Sequence, residues 1–271
     1  MDQYRHKRVI ISGGGTGGHV FPAISVANAL RKADPEIDIL FVGAEGRMEM
    51  EKVPESGYKI KGLPVAGFYR RFTLKNFTVM FRLFRSLSAA KKILQEFRPD
   101  VAVGVGGYAS GPVLRQAGKM GIPTLIQEQN SYAGITNRLL AKKASVICVA
   151  YDGMEKYFPA GKIIKTGNPV RHNYDNLDNL REEALSFFGL KNGKPVILIL
   201  GGSLGAGTIN NSLSRDLGKL TASDFQWLWQ TGRYYYDRIK SSVSGSASGS
   251  ISVHGFINRM DYAFAAADII V

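Results

Sequence analysis

The sequence predicts an α/β fold: two doubly wound, Rossmann-like domains with parallel sheets, facing each other across a cleft. Three observations predict it. Short β-branched runs alternate with helix-length segments along the chain, the pattern of strands covered by helices. The runs are continuously apolar rather than alternating, as parallel strands buried on both faces require. A strand–glycine–helix corner near the start is also repeated after the middle of the chain.

Taken in order, Val9-Ile10-Ile11, Ile39-Leu40-Phe41-Val42, Val101-Ala102-Val103, Thr124-Leu125-Ile126 and Val146-Ile147-Cys148-Val149 read as buried strands, with helices such as Pro22 to Ala33 and Gly134 to Lys143 between them. The single cysteine, Cys148, reads as a buried strand residue, which excludes disulfides and cysteine-based metal sites. Residues 159–180 are polar and turn-rich and mark the boundary, giving domains 1–165 and 166–271. A fresh strand opens at Val196 to Leu200. Further strands are expected at Phe225 to Gln230, Ile251 to His254 and Asp268 to Val271, and the Ser/Gly-rich stretch Ser241 to Ser252 reads as a mobile loop. No window approaches the roughly 20 apolar residues of a spanning helix, and the polar start Met1 to Arg8 shows no secretory signal. A cytosolic protein is expected.

The two corners are Val9 to His19, with Gly13-Gly14-Gly15-Thr16-Gly17-Gly18 at the turn, and Val196 to Ala206, with Gly201-Gly202-Ser203-Leu204-Gly205. Glycines let the backbone turn sharply and let a ligand reach its N–H groups. The helix that follows offers unpaired donors and partial positive charge, which suits a phosphate. Gly13, Gly15 and Gly18 alone satisfy G-x-G-x-x-G, and Glu45 stands where a dinucleotide-binding acid could sit, so a dehydrogenase is the first alternative. Against it, the loop holds more glycine than that turn needs, and His19 follows at the helix mouth. A third glycine turn, Gly104 to Pro112, again joins a strand to a helix.

The formal charge is +13, and it is concentrated. Between Lys59 and Arg98 ten Lys/Arg face one acid, Glu96, so nine of the thirteen net charges lie there. Asn76 to Phe97 reads as a helix capped by Asn76, with Met80, Leu83, Leu87, Ala90, Leu94 and Phe97 on the core face. Phe77, Phe81 and Phe84 form a second stripe, flanked by Arg85, Lys91 and Lys92 and preceded by Phe68 to Phe72. Aromatics to insert and cations to meet anionic headgroups suit a membrane surface. The competing reading is a stripe covered by another element of the same domain. Phe68, Phe72, Phe77, Phe81 and Arg85 form the expected patch.

Five segments in this order resemble the MurG family, the bacterial N-acetylglucosaminyltransferases that complete the lipid-linked peptidoglycan precursor. They are Gly14 to Ala23, Gly106 to Pro112, Glu128-Gln129-Asn130, Thr166 to Arg171, and Gly201 to Ala206. The resemblance implies a B-type glycosyltransferase, inverting and independent of metal or other cofactor. It implies that N-acetylglucosamine passes from UDP to the C4 hydroxyl of N-acetylmuramic acid on an undecaprenyl-pyrophosphate carrier. Implied donor contacts are Thr16, Gly17, Gly18, Asn130, Arg171, Ser203 and Ile257. It further implies a peripheral enzyme on the cytoplasmic face of the bacterial plasma membrane, acting in cell-wall synthesis and division; no nucleic-acid partner is expected, and protein partners stay open. Two positions depart from the family: Leu204 stands where glutamine is common, and Gln127 where histidine often precedes Glu-Gln-Asn. Family members also continue beyond Ile269-Ile270-Val271, so the second domain reads as incomplete, and little or no transferase activity is expected of these 271 residues alone.

Inverting transfer needs a base for the acceptor hydroxyl and help for the departing UDP. His19 at a helix N-terminus is the candidate base, with a positioning histidine as the alternative. Glu128 is the reserve base or a loop-organising carboxylate, and Tyr108 lines the acceptor side or simply packs. The remaining histidines lack metal-ligand spacing, so no metal is expected. Two other readings stay open: another UDP-sugar enzyme of the same fold, either a glycolipid glycosyltransferase or a UDP-N-acetylglucosamine epimerase, or a basic, non-catalytic binding protein.

Overall fold

The computed structural model describes residues 6–65, 75–170, 177–202, 204–244 and 249–271, with the side chains of 75–82 left outside. Two compact units are present, 1–171 and 172–271.

In the first unit, β1 (Arg8–Gly13), β2 (Asp38–Ala44), β3 (Lys59–Leu63), β4 (Val101–Gly106), β5 (Thr124–Glu128), β6 (Val146–Val149) and β7 (Ile163–Lys165) form one sheet in the order β3-β2-β1-β4-β5-β6-β7. Every pairing is parallel. Residue parity decides which face each side chain serves, because successive strand residues point to opposite sides. Ile10, Leu40, Ala102, Ile126 and Ile147 pack on one face with Ala90 and Leu94 of α3 (Lys75–Phe97) and with Val113, Leu114 and Ala117 of α4 (Ser110–Lys119). Val9, Ile11, Phe41, Val103 and Val105 pack on the other face with Val20, Ala23, Ile24 and Ala27 of α1 (Gly17–Ala33). Burying one such aliphatic side chain contributes about 1.5–3 kcal/mol, so a sheet covered twice is what these continuous apolar runs select.

The second unit repeats the plan. Strands β8 (Val196–Leu200), β9 (Gln226–Gln230), β10 (Ile251–His254) and β11 (Ile269–Ile270) pair in parallel in the order β10-β9-β8-β11. Leu198 and Leu228 face α6 (Arg181–Phe187) and α10 (Met260–Ala266). Ile199 and Trp229 face Ile239 of α9 (Arg233–Ser244), with Ile209 and Leu213 of α7 (Gly207–Arg215) and Leu217 of α8 (Leu217–Ala222) packed on the same cluster. Arg181 and Asp268, paired at 2.8 Å, tie α6 to the start of β11.

Several expectations need correction. The edge strands β3 and β7 and the short α2 (Glu49–Glu55) are additions. Helix α3 begins at Lys75, so Asn76 lies inside it rather than capping it. The helix expected over 134–143 is α5, Ile135–Leu140. Cys148 is half-buried, next to the three-residue edge strand β7, instead of fully buried. The serine-rich stretch is partly helical. Helix α9 runs to Ser244, and within it the hydroxyls of Ser241, Ser242 and Ser244 donate to the carbonyls of Asp237, Arg238 and Lys240, four residues back.

Candidate functional site

In an open parallel sheet, a ligand crevice forms where the strand order reverses direction, at the carboxyl ends of the strands. In the first unit β2 lies on one side of β1 and β4 on the other, so that point falls between β1 and β4. Two of the three glycine turns expected from the sequence emerge there: residues 13–18 after β1, and Gly106-Gly107 after β4, both with positive φ (94° and 86°). The pairing of Gly13 with Gly106 follows a register shift after Ser12.

Glycine is required here by close approach. A Cβ on Gly107 would collide with the Gly14 main chain, and one on Gly106 would lie 2.6 Å from the His19 ring. The two turns therefore stack main chain on main chain, with the imidazole beside them. Thr16 is the N-cap of α1 in extended conformation, but its hydroxyl does not cap the helix; Oγ1 pairs instead with His19 Nδ1 at 3.1 Å. The first-turn amides of Gly17 and Gly18 precede any helical acceptor, and Thr16 and Gly18 are exposed. Burial holds the His19 imidazole below its ordinary value, while the Glu128 and Glu49 carboxylates pull the other way. Desolvation thus favours the neutral ring further, a cause that the helix-terminus argument from sequence did not contain.

Glu128, at the end of β5, is 1% exposed and accepts four hydrogen bonds. They come from the Asn130 backbone and side-chain amides at 3.1 Å each, from the Gly134 amide at 2.9 Å, and from Asn137 Nδ2 at 2.9 Å. Asn130 is exposed, and with Nδ2 committed to Glu128 its Oδ1 is the free polar end of that side chain among the described residues. Tyr108, 53% exposed, follows Gly107 on the same turn. Gln127, at the family's histidine position, donates from Nε2 to the Gly167 carbonyl at 3.3 Å, holding the segment that leads to Arg171.

In the second unit the sheet reverses between β8 and β11, and the turn 201–205 follows β8. Gly202 and Gly205 have φ of 73° and 82°. A Cβ on Gly205 would strike the Thr231 carbonyl, and one on Gly232 would lie 2.5 Å from Gly205. Gln230 Nε2 donates to the Gly202 carbonyl at 2.8 Å, and Asn210, buried, bridges Trp229 Nε1 and the Thr231 carbonyl. This supporting turn, Gln230-Thr231-Gly232, was missed from sequence, although a glycine two residues past the end of a strand is its signal. Ile257 is 4% exposed within the core, and Phe256 beside it is 36% exposed with the Arg233 guanidinium over its ring.

Arg171, Ser203, Phe68 and Phe72 lie outside the described residues, and Phe77 and Phe81 belong to α3 with side chains outside the description. Arg85 is exposed on α3, beside Phe84 at 64% exposure. No described helix is long and apolar enough to cross a membrane.

Comparison with known proteins gives this geometry a context. Residues 9–149 match the glycosyltransferase family 28 N-terminal domain, and residues 196–271 its C-terminal domain. A UDP-N-acetylglucosamine--N-acetylmuramyl-(pentapeptide) pyrophosphoryl-undecaprenol N-acetylglucosamine transferase of Parabacteroides distasonis is 60% identical over 98% of this chain and 73% of its own length. The enzyme of the same name from Phocaeicola vulgatus is 59% identical over 97% of this chain and 70% of its own. The crystal structure of Acinetobacter baumannii MurG superposes with a TM-score of 0.69 at 28% identity, over 97% of this chain and 72% of that one. The UDP-GlcNAc 2-epimerase of Neisseria meningitidis, at 16% identity and a TM-score of 0.67 over 97% of this chain and 76% of that one, shares the fold. With both domain models matched in order across both units, and close relatives spanning nearly its whole length, the chain belongs to glycosyltransferase family 28.

Proposed function

We propose that this protein transfers N-acetylglucosamine from UDP-N-acetylglucosamine to the C4 hydroxyl of lipid-linked N-acetylmuramyl pentapeptide, with inversion. The observation that carries it is the corner between β1 and β4. An imidazole that burial biases toward the neutral form stands there beside the first-turn glycines of α1, in a chain 60% identical to transferases named for this reaction.

The chemistry is a single displacement. The acceptor oxygen forms a bond to the anomeric carbon as the bond from that carbon to the UDP oxygen breaks. The acceptor proton goes to His19, and the charge that develops goes to the departing diphosphate. For His19 to accept at Nε2, Nδ1–H must donate to Thr16 Oγ1, the pairing that the 3.1 Å contact supplies. Gly17 and Gly18 amides, with the Arg171 guanidinium, would meet the diphosphate charge. Asn130 offers Oδ1 to a sugar hydroxyl, and Ser203 and the Phe256-Ile257 segment serve the nucleotide end. Glu128, with its oxygens engaged by four donors, organises the Asn130 loop, and Tyr108 lines the acceptor side.

Attachment to the cytoplasmic face of the plasma membrane follows in this reading from the basic, aromatic segment 59–98, on which Phe84, Arg85, Lys91 and Lys92 are exposed. Calorimetry with UDP-N-acetylglucosamine, paired with transfer of labelled sugar to a polyprenyl-pyrophosphate acceptor, tests the proposal. Saturable binding and labelled lipid product are expected. Equal transfer from other UDP-sugars would favour a different enzyme of this fold. No saturable binding, with strong salt-sensitive polynucleotide binding, would favour the basic binding protein.

A further inference from the structure

Beneath the first corner lies an acid that the reaction just described does not use. Glu49, the first residue of α2, is fully buried, and no lysine or arginine pairs with it among the described residues. A carboxylate removed from water is costly unless hydrogen bonds replace its hydration. Two backbone amides do so: Oε1 accepts from Ala44 at the end of β2, and Oε2 accepts from Gly15 after β1, each at 2.9 Å.

The neighbours show how closely the corner is built around this group. A Cβ on Gly14 would collide with the Glu49 carboxylate, and one on Gly43 would lie 2.5 Å from its Cγ. Gly14 thus has both the Glu49 carboxylate and Gly107 close against it, and Gly106 in turn lies against the His19 ring. The contacts run without a gap from Glu49 through Gly14, Gly107 and Gly106 to the imidazole. Glu49 also accepts from the Gly15 amide, so that donor is already engaged within the protein. We propose that Glu49 is a positioning residue: its carboxylate, seated under Gly14 and bonded to the Gly15 amide, fixes the shape of the first corner and the electrostatic surroundings of His19. This inference rests on the reading of His19 as the base.

The charged groups that act on His19 are Glu128 from the end of β5 and Glu49 from α2, both raising its affinity for a proton against the effect of burial; Thr16, on its own turn, contributes a neutral hydroxyl. Replacing Glu49 by glutamine removes one of the two charges while keeping the volume. It also places an amide group opposite a backbone amide, so one of the two hydrogen bonds is lost.

The test follows the His19 imidazole by NMR titration in the wild-type and Glu49→Gln proteins, with kcat and KM for transfer measured alongside. The His19 midpoint is expected to fall by on the order of half a pH unit and kcat by about tenfold, with donor KM changed less. Glu49→Asp, which keeps the charge, should restore the midpoint. An unmoved midpoint in Glu49→Gln overturns the inference, even if melting temperature falls, because a merely structural acid would change stability alone. Should Glu49→Gln fail to fold, amide hydrogen exchange on the wild type decides: Gly15 and Ala44 should be protected like the β1 amides, and exchange at the free-peptide rate overturns the inference. Normal turnover in His19→Ala would remove the base reading but leave this test intact, since the imidazole titration is read without turnover.

Discussion

Thr16 Oγ1 and His19 Nδ1 share one hydrogen bond, and its direction determines which ring nitrogen can take a proton. The acid limb of kcat/KM should report this imidazole and, because burial lowers its proton affinity, should lie below the ordinary histidine value of about 6.5. His19→Ala should reduce kcat by roughly 10²-fold or more and remove that limb; pH–rate profiles of the two proteins check both, and near-normal kcat would return His19 to a positioning role. At this scale the sequence was legible where a residue type announces its chemistry: a histidine after a glycine loop is visible. Glu49 was not, because a buried glutamate in Arg47-Met48-Glu49-Met50-Glu51-Lys52 looks like any solvated charge. Its trace was the surplus glycine of the first loop, Gly14, whose missing side chain makes room for that carboxylate.

Among the elements, the strands buried on both faces were readable, since β1, β2 and β4 carry long apolar runs; β6 was legible too, although Val146 and Cys148 leave one of its faces half-buried. The edges were not. In β3, exposed Lys59 and Lys61 flank half-buried Ile60, and Leu63 is its one buried residue, a half-solvated pattern typical of edge strands; Lys61 reaches Glu96 of α3 at 2.7 Å. That pair explains part of the local charge without a membrane, whereas Arg85, Lys91 and the exposed Phe84 are left facing solvent. Arg85→Ala should weaken binding to phosphatidylserine-rich vesicles about fivefold at low salt, the equivalent of roughly 1 kcal/mol for one cation near an anionic surface. Phe84→Asp should weaken it further, and raised salt should shrink the Arg85 effect. Co-sedimentation across a salt series measures all three; binding indifferent to both substitutions and to salt would assign α3's outer face to another task.

For the whole molecule, each unit contains a histidine whose proton affinity is lowered by burial: His19 in the first, and His254, lowered further by Lys240, in the second. Above about pH 7 both imidazoles are neutral folded or unfolded and contribute no pH dependence. Below about 6.5 the unfolded chain takes up protons that the folded chain resists, so unfolding binds protons and stability is lost as pH falls toward the folded values. Melting temperature should therefore be lower at pH 5.5 than at pH 7.5, and His19→Gln together with His254→Gln should flatten the difference. A melting temperature that rises on acidification would contradict the burial of both rings.

The corner between β1 and β4 leaves its glycines no room: Gly13, Gly14, Gly106 and Gly107 each lie too close to a neighbour to accept a methyl group without displacement. Selection for drug escape works by exchanging side chains, and these four positions carry none to exchange. If this corner grips the donor diphosphate, an inhibitor anchored on the same amides would leave a bacterium few viable routes to resistance at those four positions, and escape would have to come from the rim, at exposed residues such as Tyr108 and Asn130.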